Sequence, residues 1–115
     1  MSIQLTDPED AKLLTLARAS RSRARVAGAA AVRDTDGRTY TAADIDLPSL
    51  QLSALQVAVA MAISSGVEGL EAGLVMTDAL SLDELDVTLV REFAGDGIVL
   101  YRANGDGAVV DSTTT

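Results

Sequence analysis

The sequence predicts one three-layer α/β/α domain with helices on both faces of a mixed sheet. Three observations lead there. The segments read in the order helix, hairpin, helix, strand, helix, hairpin, and a helix between two strands implies a crossover. The 115 residues are 48% apolar, enough for one core at the commonest domain size. Aromatics make up only 3%, so that core must be built from Ala, Leu, Val and Ile. Such a core buries little area per residue and gives a modest margin, at roughly 25 cal/mol per Å² of apolar surface.

Asp7-Pro8-Glu9-Asp10 opens the first helix, with a capping Asp, Pro at the first helical position and acids in the first turn. Leu13, Leu14, Leu16 and Ala17 give its apolar face as far as about Arg21. Val26 to Val32 reads as a buried strand, Asp34 to Gly37 as a turn, and Arg38 to Ala43 as its half-exposed antiparallel partner. Pro48 to Ser65 is the clearest helix: Leu52, Leu55, Val59 and Ile63 recur at helical spacing with Ala between them, and Gly66 ends it. It is apolar almost all round, so it belongs in a core or an interface. Leu70 to Met76 is a central strand. Ser81-Leu82-Asp83-Glu84 has the capping-box pattern and opens a helix to Phe93. Ile98 to Arg102 and Ala108 to Val110 flank the Asn104-Gly105-Asp106-Gly107 turn. The ordered core spans about 7–110, and 111–115 reads as a frayed tail.

Composition removes several kinds of chemistry. With no Cys and no His there are no disulfides, no thiolate or imidazole metal ligands and no imidazole base. Ser20 and Ser53 have no motif-placed activating base, so a hydrolase site has no support. No glycine pattern forms a phosphate loop. A net charge of −8 argues against nucleic-acid binding. Met1 to Asp10 is polar rather than a signal peptide, and no apolar run approaches the roughly 20 residues of a membrane span. The expected location is cytoplasmic. Arg18, Arg21, Arg23 and Arg25 gather within one segment. They read either as a solvated helix end favoured by the helix dipole or as an anion or partner site.

The element order and several local strings resemble the cytidine deaminase family. Ala27-Gly28-Ala29-Ala30 with the Asp36-Gly37 turn is similar to the family's Val-Gly-Ala-Ala strand and turn. Ala54-Leu55-Gln56-Val57-Ala58 and Ala62-Ile63-Ser64-Ser65-Gly66 parallel its Ala-Glu-Arg-x-Ala…Ala-Val-Ser-x-Gly helix, and Arg91-Glu92-Phe93 matches the end of the next helix. The resemblance covers roughly Leu13 to Val110 and implies the cytidine deaminase-like fold, a five-stranded sheet of order 2-1-3-4-5.

It also implies a zinc held by one Cys or His and two Cys, beside a proton-shuttling Glu. Here the first ligand position carries Ser53, the Glu position Leu55, and the Cys pair Asp83 and Asp86. Leu cannot carry a proton, and a neutral hydroxyl with two carboxylates suits at most a hydrated hard cation. No catalytic residue, zinc or other cofactor is therefore expected. Asp83 and Asp86 read either as a remnant Mg²⁺ or Ca²⁺ site with Ser53 or, in the favoured reading, as first-turn acids of the helix capped by Ser81 and Glu84.

Asp44-Ile45-Asp46 sits where the family's Asn-x-Glu holds the ribose, so Asp44 and Asp46 are candidate acceptors for a sugar hydroxyl or simply solvated loop acids. Arg25, at the position of a Phe that packs near the pyrimidine, is a candidate partner for an anionic group. Two functions follow: an inactive module that is structural, regulatory or interactive, or a nucleoside or nucleotide binder using the old pocket, whose cryptic form would be a cytidine deaminase with an atypical site. Because the matching helices meet between subunits in the family, a homo-oligomer, dimer or tetramer, is expected through helix 48–65.

Overall fold

The computed structural model describes residues 2–115. Helix α1 (Pro8–Ala24) starts where the capping pattern places it, with the Asp7 carboxylate accepting the Glu9 N–H at 2.9 Å. It runs three residues past Arg21 and ends at Arg25, whose backbone is left-handed at φ 56°. Strand β1 (Ala29–Asp34) is buried throughout and lies between β2 (Thr39–Ala43) and β5 (Leu70–Met76), antiparallel to both. Helix α3 (Glu84–Ala94) carries the chain over to β6 (Val99–Ala103), parallel to β5, and β7 (Val109–Thr114) closes the sheet antiparallel to β6. The sheet order is β2-β1-β5-β6-β7, which is 2-1-3-4-5 among the five long strands. Two further strands form a separate ribbon.

The sheet has a core on each face. Leu13 and Ala17 of α1 pack with Ala31, Leu74 and Met76 on one side. On the other, α2 (Ala54–Ser64) and α3 set Leu55, Ala58, Val59 and Val90 against Val32 and Leu100. Gly73 lets side chains of its two flanking strands close over it. A Cβ at Gly73 would sit 2.9 Å from a Leu100 methyl and 3.2 Å from one of Val32.

Several boundaries differ from the sequence reading, the first being β1, which spans Ala29–Asp34 rather than Val26 to Val32. The helix beginning at Pro48 in that reading begins at Ala54. The preceding residues form a ribbon of β3 (Ile45–Leu47) and β4 (Leu50–Leu52) turning at Pro48-Ser49. Leu52 fits the helical period, but Ser53 with Gln56 completes a capping box and fixes the start one residue later. Asp83, not Ser81, caps α3, accepting the Leu85 N–H at 2.8 Å. The supposed frayed tail at 111–115 is an edge strand. Asp111 grips Arg102 at 2.7 Å, and Thr115 bonds through its N–H to Ile98 and through its hydroxyl to Gly95. Before residue 7 the chain is also held, because the Ile3 N–H donates to Val109.

The charged end of β1 is the other departure from pattern. Arg33 and Asp34 are buried. Arg33 reaches Asp10 of α1 at 2.9 Å and Glu71 of β5 at 3.0 Å, and Asp10 also accepts the Tyr101 hydroxyl at 2.8 Å. Asp34 organises the β1–β2 turn, accepting the Asp36 and Arg38 N–H groups and the Tyr40 hydroxyl. No helix among the described residues is long and apolar enough to cross a membrane.

Candidate functional site

A cleft of about 400 Å³ opens where the N-termini of α2 and α3 converge beside the end of β5. Its polar lining comes from Asp44, Ser53, Thr77, Ser81, Asp83 and Asp86, and its apolar floor from Leu55, Val75 and Leu82. An outer basin shares Asp44, Ser53, Asp83 and Asp86, with the β3–β4 ribbon as one wall and the start of α3 as the other.

Local folding explains each polar group. Ser53 is the α2 cap: its Oγ accepts the Gln56 N–H at 3.1 Å, while the Gln56 side chain accepts the Ser53 N–H at 2.8 Å. The same hydroxyl donates to Oδ1 of Asp86 at 2.9 Å, across the gap between the two helices. Asp44 accepts the Ala54 N–H at 2.8 Å, so two side chains serve the first turn of α2. Asp86 lies in the first turn of α3 and is only 6% exposed. Burial, and next to it the negative charges of Asp83 and Asp44, push its carboxyl pKa up, and the Ser53 bond pulls against them.

The cleft thus gathers Ser53, Leu55, Asp83, Asp86 and Asp44. Asp46 is exposed and lines only the outer basin. Arg25 lines neither part; it terminates α1, with its N–H bonded to the Arg21 carbonyl. Nor does the rest of the arginine segment line the cleft. Arg21 donates to Gly105 and meets Asp78 at 3.7 Å, and Arg18 lies against Gly107. No Lys or Arg lines either cavity. Among the described residues no group of three or more acids is placed to hold a metal ion. Thr77, Ser81 and Leu82 escaped sequence reasoning as lining residues. The usable signal was their position just after a central strand, where open α/β sheets form crevices.

Residues 6–107 match the model of the family described as cytidine deaminase-like. Comparison with curated proteins gave no significant match. Among solved structures, the chain is similar to cytidine deaminase from Burkholderia pseudomallei, at TM-score 0.75 and 17% identity over 90% of this chain and 89% of that one. The Mycobacterium leprae enzyme gives 0.70 and 21% over 94% of both chains. The Mycobacterium tuberculosis enzyme gives 0.70 and 22% over 82% of this chain and 85% of its own. At these identities the structural likeness speaks for the fold.

Proposed function

The chain belongs to the cytidine deaminase-like family, and we propose that it is a catalytically silent member serving as a structural, regulatory or interaction module. The observation that carries this reading is the direct bond from Ser53 to Asp86. Both residues stand where the family resemblance implies zinc ligands, and here they satisfy each other. The donor set does not fit that metal. The Ser53 oxygen is already used by the Gln56 N–H and the Asp86 carboxylate, Asp83 is committed to the α3 cap, and no thiolate or imidazole exists in the chain. Leu55, buried at the position of the proton-shuttling Glu, has no proton to give.

Purified chain incubated with zinc and cytidine tests the proposal. Chromatography is expected to find no uridine above a protein-free control, and metal analysis after dialysis far less than one zinc per chain. Uridine formed in proportion to protein overturns it.

The open cleft favours a second reading, that of a nucleoside-binding protein. Its volume suits a small ligand, with Asp44 at the wall and Asp46 at the outer basin as acceptors for sugar hydroxyls. With Arg25 outside the lining and no other cation present, the cleft offers a phosphate no partner, so nucleosides suit it better than nucleotides. Amide shifts in ¹⁵N-labelled chain titrated to millimolar cytidine, uridine and their monophosphates decide it; no shift in the cleft ends this reading.

Self-association through α2, as a dimer or tetramer, completes the proposal. Met61 and Ile63 are exposed on that helix, and Tyr40, Leu52, Val57 and Met61 border an apolar groove. A cytoplasmic setting is the matching expectation. Light scattering that gives a monomer at high concentration overturns the assembly.

A further inference from the structure

Four of the large apolar side chains left in water lie along the chain segments that frame the cleft. Leu80 is 90% exposed and sits between Ala79 and Ser81, which line the inner cleft; Leu85 is 72% exposed and lines the outer basin. Leu47 and Leu50, 55% and 45% exposed, face each other across the tip of the β3–β4 ribbon, next to the lining residues Asp46 and Gln51. Isolated exposed leucines are ordinary, but leucines on both walls of one cleft need a reason. The segment bearing Leu80 is held from behind, where Arg102 donates to the Ala79 carbonyl at 2.8 Å and Arg21 meets Asp78. Its apolar tip is presented on an anchored loop.

Charge selects the occupant. Asp44, Asp46, Asp83 and Asp86 line the same depression, and no cation does. A second copy carries net charge −8, so its surface on average repels this face, and a cationic segment of another protein complements it better. We infer that the cleft mouth docks a cationic peptide segment of another protein, with Lys or Arg side chains set over the acidic depression and neighbouring apolar side chains on Leu80, Leu85 and the Leu47–Leu50 tip. This rests on the reading of the chain as an interaction module and names the chemistry of its partner.

The probe is a seven-residue synthetic peptide alternating Leu and Arg, titrated into ¹⁵N-labelled full chain. Two control peptides replace Arg by Glu or Leu by Ser. Expected are shifts concentrated at 44–53 and 77–86, weakening with added salt, and little response to either control. The exposed double change Leu80→Ser with Leu85→Ser should weaken binding about tenfold or more, the scale set by burying two leucines. Asp46→Asn, which alters no hydrogen bond of the fold, should weaken it several-fold and decides the matter if the double variant unfolds. Shifts scattered over the acidic surface, equal binding of a control peptide, or an unchanged response in both variants overturns the inference. So does light scattering in which the leucine double variant splits a larger assembly, since the face then belongs to a second copy. The cytidine assay stands apart: a negative peptide result leaves catalytic silence intact, and uridine production leaves a positive peptide result intact.

Discussion

The Ser53 hydroxyl and the Asp86 carboxylate meet at 2.9 Å, tying the first turn of α2 to the first turn of α3. The same oxygen caps α2 through the Gln56 N–H. Ser53→Ala removes both bonds and leaves a buried carboxyl without its donor. A lost cap costs about 1 kcal/mol and a lost bond to a charged group about 1.5–3, so a total of about 2.5–4 kcal/mol is expected. Asp86→Asn keeps an acceptor oxygen and should cost less. Urea unfolding of the three proteins at one pH tests the ranking; Asp86→Asn worse than Ser53→Ala refutes it.

Two buried carboxyls should give opposite pH dependences. Asp86, raised chiefly by burial, holds its proton more tightly in the folded chain than its ordinary value of 3.8 allows in the unfolded one. Its contribution is therefore complete below 3.8 and disappears as pH rises through the folded pKa. For Asp34, burial also pushes upward. The Tyr40 hydroxyl, the Arg38 and Asp36 N–H groups and the Arg38 charge together outweigh it and leave the pKa lowered. That contribution is present above 3.8 and lost as pH falls through the folded pKa. Stability of wild type minus Asp86→Asn should therefore fall with rising pH, and wild type minus Asp34→Asn should rise. Parallel curves would contradict the assignment.

The Asp10 carboxylate joins α1 to the sheet through Arg33 and Tyr101. Asp10→Ala leaves the buried guanidinium with Glu71 alone and should cost about 3–5 kcal/mol, whereas Tyr101→Phe removes one bond and should cost about 1 kcal/mol. Burial, with Asp10 accepting its hydrogen, pushes the Tyr101 phenol up to about 12. Its contribution is complete below 10 and is lost as pH rises toward 12. Tyr40 is raised as well, first by its bond to Asp34, so phenolate absorbance should show two late-titrating tyrosines in wild type, and Tyr101→Phe should remove the step near 12.

The mixed sheet and its two hairpins were legible in the turns and in the helical runs between strands, whereas the strand order was implied by the family resemblance. Boundaries failed where two local signals competed. Pro48 fits the first turn of a helix and the turn of a ribbon equally well, and only pairing of Ile45 with Leu52 selects the ribbon. Ser81-x-x-Glu84 satisfies a capping pattern, yet Asp83 is two residues nearer and takes the Leu85 N–H. Polar Ser112 to Thr115 look like a tail, because an edge strand needs no apolar alternation when its partner supplies the hydrogen bonds. Within the site, Ser53, Asp83 and Asp86 were legible as positions. Their bond was not, since 33 residues separate Ser53 from Asp86 and only the packing of two helices joins them. Arg25, set beside the pocket by the family resemblance, instead ends α1 with its backbone and lines neither part of the cleft.

Gly28 and Asp44 supply the last test. A Cβ on Gly28 would fall against the Asp44 carboxylate, 2.7 Å from its Cγ. That carboxylate accepts the Ala54 N–H at the start of α2. Gly28→Ala must therefore swing Asp44 away, exposing one helix N–H to an empty partner position, at about 1–2 kcal/mol. Gly69→Ala is the control, since its Cβ would meet only a Thr35 methyl at an ordinary 3.5 Å. Because the damage passes through Asp44, Gly28→Ala should cost much less in an Asp44→Ala background than in wild type. A double-mutant cycle should return coupling of about 1 kcal/mol, with faster amide exchange at Ala54 in each single variant. Additive costs with unchanged exchange at Ala54 would place the damage in the strand instead and sever Gly28 from the cleft.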